Sequence, residues 1–470
     1  MGNEQSTPGG GGAGAPRQQS PPSRAQVLID TTEVQWRSAS EGQAPSQRET
    51  AGCLAPDGSL VVIGGHGVED EHSDVWSLRT GGGAWQAHTP AGRAPRPRGG
   101  HTVAWTPVGP VVFGGISHEK GGYLADVAHL AADGSEWLPV SVSGELPCAR
   151  DKHAAVVLAS GGPSGRMLVL GGFGVKPPDE DEDECEGEEV DAGEEGADQQ
   201  RRGPSVEMTW FNDVYSLELS TWRWSKLHPS AVAAATAAAA PAGSSAAAAV
   251  SSTAPVPPAA EAETVDATPP SAASAEPAAE PAAVFKFPAV AAPPAVAPAK
   301  DGTAPDDGVL LPPPRAAHAA CLVPSVGGSE GGGIGVTAEE RIVLFGGRTA
   351  TGRVDDTWVL DGLTSSEGVW RVPQIAGARP AARSFHACTA VPSASASLVA
   401  IFGGLGVDDR HLADLHLLHV AGESEWMWAA VRQAGALPSP RGCMVLACLG
   451  GGVPAGAPPE LLVFGGSSSW

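Results

Sequence analysis

Hydrophobic and polar positions along this chain follow a pattern that returns about every fifty residues, the period of propeller and solenoid repeats. Its clearest part is a short apolar run ending on two glycines. The pairs are Gly64-Gly65, Gly114-Gly115, Gly171-Gly172, Gly346-Gly347, Gly403-Gly404 and Gly465-Gly466. Runs such as Val111-Val112-Phe113 and Val343-Leu344-Phe345, bounded by Gly and Pro, predict buried strands. A first strand opened by Arg precedes each run, an Asp-led third strand follows it, and a tryptophan marks the fourth. One copy reads Arg98…His101, Val111–Phe113, Asp126-Val127 and Trp137; the next reads Arg150…His153, Leu168–Leu170, Asp213-Val214-Tyr215 and Trp222/Trp224. Two more read Arg315…His318, Val343–Phe345, Asp356–Trp358 and Trp370, and Arg383…His386, Ala400–Phe402, Asp414–His416 and Trp426/Trp428. The first copy is looser, with Arg48, Val61–Ile63, Asp74–Trp76 and Trp85, and Ala51 in the histidine position. Thirteen residues separate Trp85 from Arg98, Trp137 from Arg150, Trp370 from Arg383 and Trp428 from Arg441.

These elements have simple physical readings. A glycine pair at a strand end permits positive φ and close backbone approach where sheets crowd together. Proline-rich crossings such as Ala94–Pro97 and Leu437–Pro440 stop one unit and stiffen the path to the next. Trp36, Trp85, Trp137, Trp224, Trp370 and Trp428 are placed to fill the gaps between adjacent sheets.

Double glycine, spaced aromatics and an Arg or His near the first strand together resemble the Kelch repeat, over about three quarters of the chain. The resemblance implies an all-β fold, a β-propeller of four-stranded antiparallel blades. The tyrosine usual in the third strand survives only as Tyr215; Trp76, Trp358 and His416 hold matching places, and His129 falls one residue late. Only four residues follow Gly466, so the last repeat supplies two strands. Val27–Thr31 and Val34–Trp36 read as the missing third and fourth, which predicts six blades closed by N- and C-terminal strands sharing the last one.

Antiparallel order puts second-to-third loops and inter-blade loops on one face. An acidic insertion at 175–205 and an Ala/Pro-rich insertion at 229–308 should both leave from that face, as should both termini; the glycine-rich 327–335 loop should leave from the other. Residues 1–23 read as a disordered tail, and 24–470 as one interrupted propeller domain.

Composition narrows the partners. Net charge is −24, yet thirteen of the 53 acidic residues fall between Asp179 and Asp198, so the propeller itself is only moderately acidic. Such a run is a solvated tract, and nucleic acid is excluded as a partner class. The Ala/Pro stretch cannot build a core. Seven cysteines without a CxxC pair read as small buried hydrophobes in a reducing compartment, which points to the cytosol, with the nucleus also open. No apolar run is long enough to span a membrane. Met1–Ser6 fits the myristoylation pattern, with Gly2 as acceptor, but one acyl chain without a second signal anchors only weakly.

No catalytic, cofactor-binding or metal-binding residue is assigned. The Arg98/His101, Arg150/His153, Arg315/His318 and Arg383/His386 pairs recur from copy to copy, so they read as scaffold, bonding loop carbonyls or the third-strand Asp. A copper-radical site needs more tyrosine than Tyr123 and Tyr215 provide, no E-x-x-x-D-x-x-x-H run is present, and Asp133–Trp137 lacks Asp-box spacing. His411, His416 and His419 fall on alternating faces and suit packing. No F-box, BTB or phosphatase segment accompanies the repeats. The expectation is a monomeric, non-catalytic propeller that binds a protein or peptide through loops on one face. The alternative is an enzyme or small-ligand binder with a site at the channel mouth.

Overall fold

The computed structural model describes residues 33–37, 44–79, 83–119, 122–158, 165–176, 207–231, 311–324, 340–363, 368–392, 397–421, 425–449 and 459–468. Within them the secondary structure is strand and turn, without a helix. Five sheets repeat one plan. In the third, Ala154–Leu158, Arg166–Lys176, Glu207–Glu218 and Arg223–Leu227 lie side by side, each antiparallel to the next. The first blade uses Gly52–Leu54, Leu60–Gly67, Glu71–Leu78 and Trp85–His88. The second uses Thr102–Thr106, Gly109–Phe113, Val127–Leu130 and Glu136–Leu138. The fourth uses Ala319–Pro324, Glu340–Phe345, Thr357–Asp361 and Val369–Arg371, and the fifth Ala387–Pro392, Ser397–Gly406, His411–Ala421 and Glu425–Ala430.

Second strands have continuous apolar runs because they are covered on both faces. Val111, Val112 and Phe113 are fully buried, as are Leu168 and Val169, where a half-exposed strand would alternate. Each packed layer joins two successive blades: Val156, Leu168 and Val214 of the third meet Ile342, Leu344 and Trp370 of the fourth, and Val343 and Phe345 meet Ile401 and Trp428 of the fifth. A blade cannot bury both its faces alone, so neighbours supply the cover.

The glycine pair has a definite conformational task. Gly171 and Gly172 have φ of 57° and 110°, and the register with the third strand shifts there. This bulge lets the second strand run on beneath the incoming Arg-led segment. A Cβ on Gly172 would stand 2.8 Å from the Asp151 carbonyl oxygen and 3.0 Å from His153 Cβ, so a side chain has no room.

A fifth, short parallel strand was not foreseen from the sequence. After leaving one blade the chain lies against the outer strand of the next: Ala91–Gly92 on Glu136-Trp137, Ser143–Gly144 on Arg223-Trp224, Ser230–Ala231 on Val369-Trp370, and Ile375–Gly377 on Trp426–Trp428. The last residue of each strap stands seven positions after a tryptophan.

Among the described residues five complete blades are seen rather than the six expected. Gly442–Leu449 and Glu460–Ser467 form a two-stranded sheet, and Glu33–Trp36 pairs in parallel with Arg432–Gly435. The expected third strand at Val27–Thr31 lies outside the described residues, so no continuous four-stranded sheet joins these pieces. The hairpin nevertheless packs on both sides: Met444, Leu446 and Cys448 against Phe402 and Leu417, and Val445, Ala447 and Phe464 against Leu60, Val62 and Trp85.

Residues near the start of both expected insertions lie in strands. Val175 and Lys176 belong to a strand, and so do Ser230 and Ala231, because cross-strand pairing with Met208, Glu207 and the fourth blade captures them. Most of 175–205, most of 229–308, the 1–23 tail with Gly2, and the 327–335 loop lie outside the described residues.

Candidate functional site

Around the inner ends of the strands a repeated framework holds a variable set of side chains. Its rigid part is the arginine. Arg315 is buried, and its guanidinium forks onto both Asp356 oxygens at 2.7 Å while donating to the Gly346 carbonyl at 2.9 Å. Arg98 with Asp126, Arg150 with Asp213, Arg383 with Asp414 and Arg48 with Asp74 repeat the arrangement. Asp126, Asp356 and Asp414 are held below the usual carboxylate range: burial opposes ionisation, but the arginine hydrogen bonds and charge outweigh it. Arg441 bonds Gly465 O and Ser439, with no aspartate partner among the described residues.

The histidines sit three residues on and reach back to the preceding blade. His101 Nε2 lies 2.9 Å from the Ile63 carbonyl oxygen, which it serves as donor. Burial, reinforced by the adjacent arginine, lowers His101 to about 4 and His318 and His386 to about 3, and His153 well below the ordinary value. They are therefore neutral, packed groups at physiological pH.

Two positions after each repeat arginine lies a residue that lines the centre. Lys152, Ala317, Phe385 and Cys443 share a left-handed φ of 52° to 59°, and Gly100 has 63°. Their peptide groups link consecutive repeats: Lys152 N–H donates to Gly100 O, Ala317 to Lys152, Phe385 to Ala317, Cys443 to Phe385 and Thr50 to Cys443, at 2.8 to 3.0 Å. Holding non-glycine residues in this region costs about 1 kcal/mol or more each, which the hydrogen-bonded chain must offset. The six occupy the same place in their repeats, but their side chains are a hydroxyl, none, an ammonium, a methyl, a phenyl and a thiol.

These residues line a cavity of about 130 Å³. Its polar wall is concentrated on one side. Buried Asp151 approaches Lys152 Nζ at 3.2 Å through Oδ2, while its Oδ1 has no hydrogen-bond partner among the described residues. Burial pushes Asp151 up against the pull of Lys152. For Lys152 burial opposes the charge, yet Asp151 and Glu49 outweigh it and hold the ammonium above the usual lysine range. Burial raises Glu49 to about 7 despite Lys152, so this carboxyl is half-ionised near neutrality. Lys152 Nζ also stands 5.7 Å from the Phe385 ring centroid.

A second ring of variation stands just beyond the glycine pairs. The cross-strand pair there is His66/Glu71, Ile116/Tyr123, Phe173/Trp210, Arg348/Arg353 and Leu405/His411 in blades one to five. Aromatics gather on the second and third blades: Phe173 lies 4.8 Å from Trp210 and 6.0 Å from Tyr123 between ring centroids.

The motif residues named from the sequence lie in the framework, away from this variable set. Trp85, Trp137, Trp224, Trp370 and Trp428 are buried, Trp36 is partly buried and donates to Gln433 Oε1 at 2.9 Å, and the glycines form the bulges. Glu49, Asp151, Lys152 and Phe385 were passed over, although they occupy the two positions inside each Arg-x-x-His. The readable signal was the variability of those positions within a fixed spacing. His416 Nε2 donates to Asp414 Oδ2 at 2.9 Å and His419 is buried on the other face, so neither joins His411 in a cluster.

Four-stranded blades, bulged at a double glycine and pinned by an Arg to the third strand, define a Kelch-type β-propeller. Residues 11–172 and 304–469 match the family described as the KLHDC2/KLHL20/DRC7 Kelch-repeats domain, and the chain belongs to the Kelch-repeat family. It is similar to an F-box/kelch-repeat protein of Arabidopsis thaliana, 31% identical over 125 residues, which are 26% of this chain and 22% of the relative. It is also similar to tRNA wybutosine-synthesizing protein 4 of Aspergillus fumigatus, 32% identical over 118 residues, 25% of this chain and 9% of the other. A third match is the flagellar outer-arm dynein alpha chain of Chlamydomonas reinhardtii, 27% identical over 150 residues, 30% of this chain and 3% of that one. The chain thus spans less than a quarter of the length of each of these relatives.

Proposed function

We propose that this chain is a non-catalytic protein-interaction propeller that takes a protein or peptide segment at the mouth of the cavity. One observation carries the reading: six positions two residues after the repeat arginines, Thr50, Gly100, Lys152, Ala317, Phe385 and Cys443, are linked by one chain of peptide hydrogen bonds and present six different side chains. A framework repeated this closely while its lip varies is suited to recognition, with specificity in the variable groups. The outer pairs add direction, aromatic on blades two and three and doubly basic at Arg348/Arg353 on blade four. The acidic run attaches between Lys176 and Glu207, at the end of the hairpin that carries Phe173 and Trp210.

Six blades are part of the proposal. The chain of peptide hydrogen bonds runs from Gly100 through Cys443 to Thr50, and the strap rule that pairs Gly92 with Trp137 also pairs Gly435 with Trp36. The Gly442–Ser467 hairpin would then be the inner half of the last blade and Glu33–Trp36 its outer strand. We take the molecule to be a monomer of the cytosol or nucleus, held at a membrane only weakly and only with Gly2 myristoylated.

A small-ligand site at the same mouth is the second reading, suggested by half-ionised Glu49 and unpartnered Asp151 Oδ1. Size favours the first reading. About 130 Å³ is below the roughly 300 Å³ at which ligand pockets begin, and suits one inserted side chain.

The test is site-specific photo-crosslinking in cells, with a photoreactive phenylalanine analogue at Phe385 and, for comparison, at Asp133 on the opposite face. A discrete adduct from position 385 that disappears with Lys152→Ala supports the reading. Adducts from 133 alone, or the same adducts from both positions, overturn it.

A further inference from the structure

His66 and Glu71 face each other across the first blade's second and third strands, and His118 approaches them from the second blade just after Ile116–Ser117. His118 Nδ1 is 2.7 Å from Glu71 Oε1, the two imidazole rings are 5.5 Å apart, and one donor atom from each of the three residues falls within 4.8 Å of the others. The carboxylate is held in place independently of any ion. It accepts from the His118 backbone N–H at 3.1 and 3.0 Å and from Ser117 Oγ at 3.2 Å. His66 Nδ1 is sealed from solvent and has no hydrogen-bond partner among the described residues.

The cluster departs from the repeat. Positions equivalent to His66 hold Ile116, Phe173, Arg348 and Leu405, and those equivalent to Glu71 hold Tyr123, Trp210, Arg353 and His411. Counted from the first glycine of each pair, the place of His118 is taken by Val68, Val175, Ala350 and Val407. Scaffold needs are the same in every blade, so they do not explain two imidazoles and a carboxylate converging in only one of these settings. Two nitrogens and one oxygen make a borderline donor set, suited to first-row divalent metals and unlike the all-oxygen sets of calcium or magnesium.

We propose that His66, Glu71 and His118 form a binding site for a zinc-class divalent cation on the rim between the first two blades. The side chain of His118 is 64% exposed, which leaves the remaining coordination position facing solvent. The site was invisible as a motif because its third member lies 47 residues beyond the second and on another blade.

Full-length protein, stripped with a chelator, is titrated with Co²⁺ as a spectroscopic probe for the zinc class. The expected result is one equivalent with a ligand-field spectrum in the visible, displaced by Zn²⁺, and an affinity at least about tenfold weaker in both His66→Ala and His118→Ala. His118 is exposed, so its variant should melt at the wild-type temperature without metal and keep the comparison interpretable. Absence of the spectrum in the wild type overturns the site. Binding that is unchanged in both histidine variants also overturns it and assigns the ion to the acidic run around Cys185. Either metal result leaves the protein-binding reading unchanged, since Lys152 and Phe385 are not among the ligands.

Discussion

Histidines 101, 153, 318 and 386 occupy places where a charged imidazolium cannot be hydrated, and this makes stability depend on pH. Their folded-state values fall from the ordinary 6.5 to about 4 for His101 and about 3 for His318 and His386. Below pH 6.5 the unfolded chain therefore binds protons that the folded chain does not, and stability falls as pH drops through the window from 6.5 to about 3. Each histidine contributes a slope of up to about 1.4 kcal/mol per pH unit. Urea denaturation of the wild type should show this loss from pH 6.5 downward, and His318→Gln should flatten the slope by close to one proton. An unchanged slope in the variant would show that His318 is not buried neutral. The Arg–Asp forks add a loss at lower pH, since Asp126, Asp356 and Asp414 are depressed and protonate last. These roles were half legible. Arg and Asp were visible at matching places in each repeat, but their pairing spans 26 to 63 residues and needed the blade to bring them together.

At the scale of the element, the parallel strap is the feature that residue patterns concealed. Two residues make too short a run to read as a strand, and their partner belongs to a different repeat. Gly92 illustrates what holds the strap: its φ is +82°, and a Cβ would sit 2.6 Å from the Trp137 carbonyl oxygen. Gly134 has a similar φ of +73° but only an ordinary contact, with His88 Nδ1 3.8 Å from where a Cβ would stand. Gly134→Ala should therefore lose about 1 kcal/mol from strain alone, and Gly92→Ala about 2 kcal/mol or more. Equilibrium unfolding of the two variants separates the effects, and equal losses would remove the close approach from the explanation. The apolar second strands, by contrast, were readable in full, since double-sided burial leaves an uninterrupted hydrophobic run.

For the whole molecule, the question is how the last repeat is completed. Trp36 packs 5.6 Å from Phe402 between ring centroids, and its strand pairs with Arg432–Gly435. Deleting residues 24–37 removes that contact and the packing of Val34 and Trp36 in one cluster with Leu461 and Val463 of the Gly442–Ser467 hairpin. The loss should be at least about 3 kcal/mol, the usual cost of deleting a packed tryptophan. Thermal unfolding checks it, and a deletion variant as stable as the intact chain would refute closure by the N-terminal strand.

The sequence by itself determined the repeat, the strand order within a blade and the residues of the framework. Each of those is a local requirement, met again in every copy, so periodicity and spacing record it. Tertiary structure alone decided what the copies surround. Lys152 and Phe385 come from blades three and five, His66 and His118 from blades one and two, and Glu49 meets Lys152 across the cavity. Such meetings depend on how blades are arranged about an axis, and the distance between residues along the chain carries no trace of that arrangement.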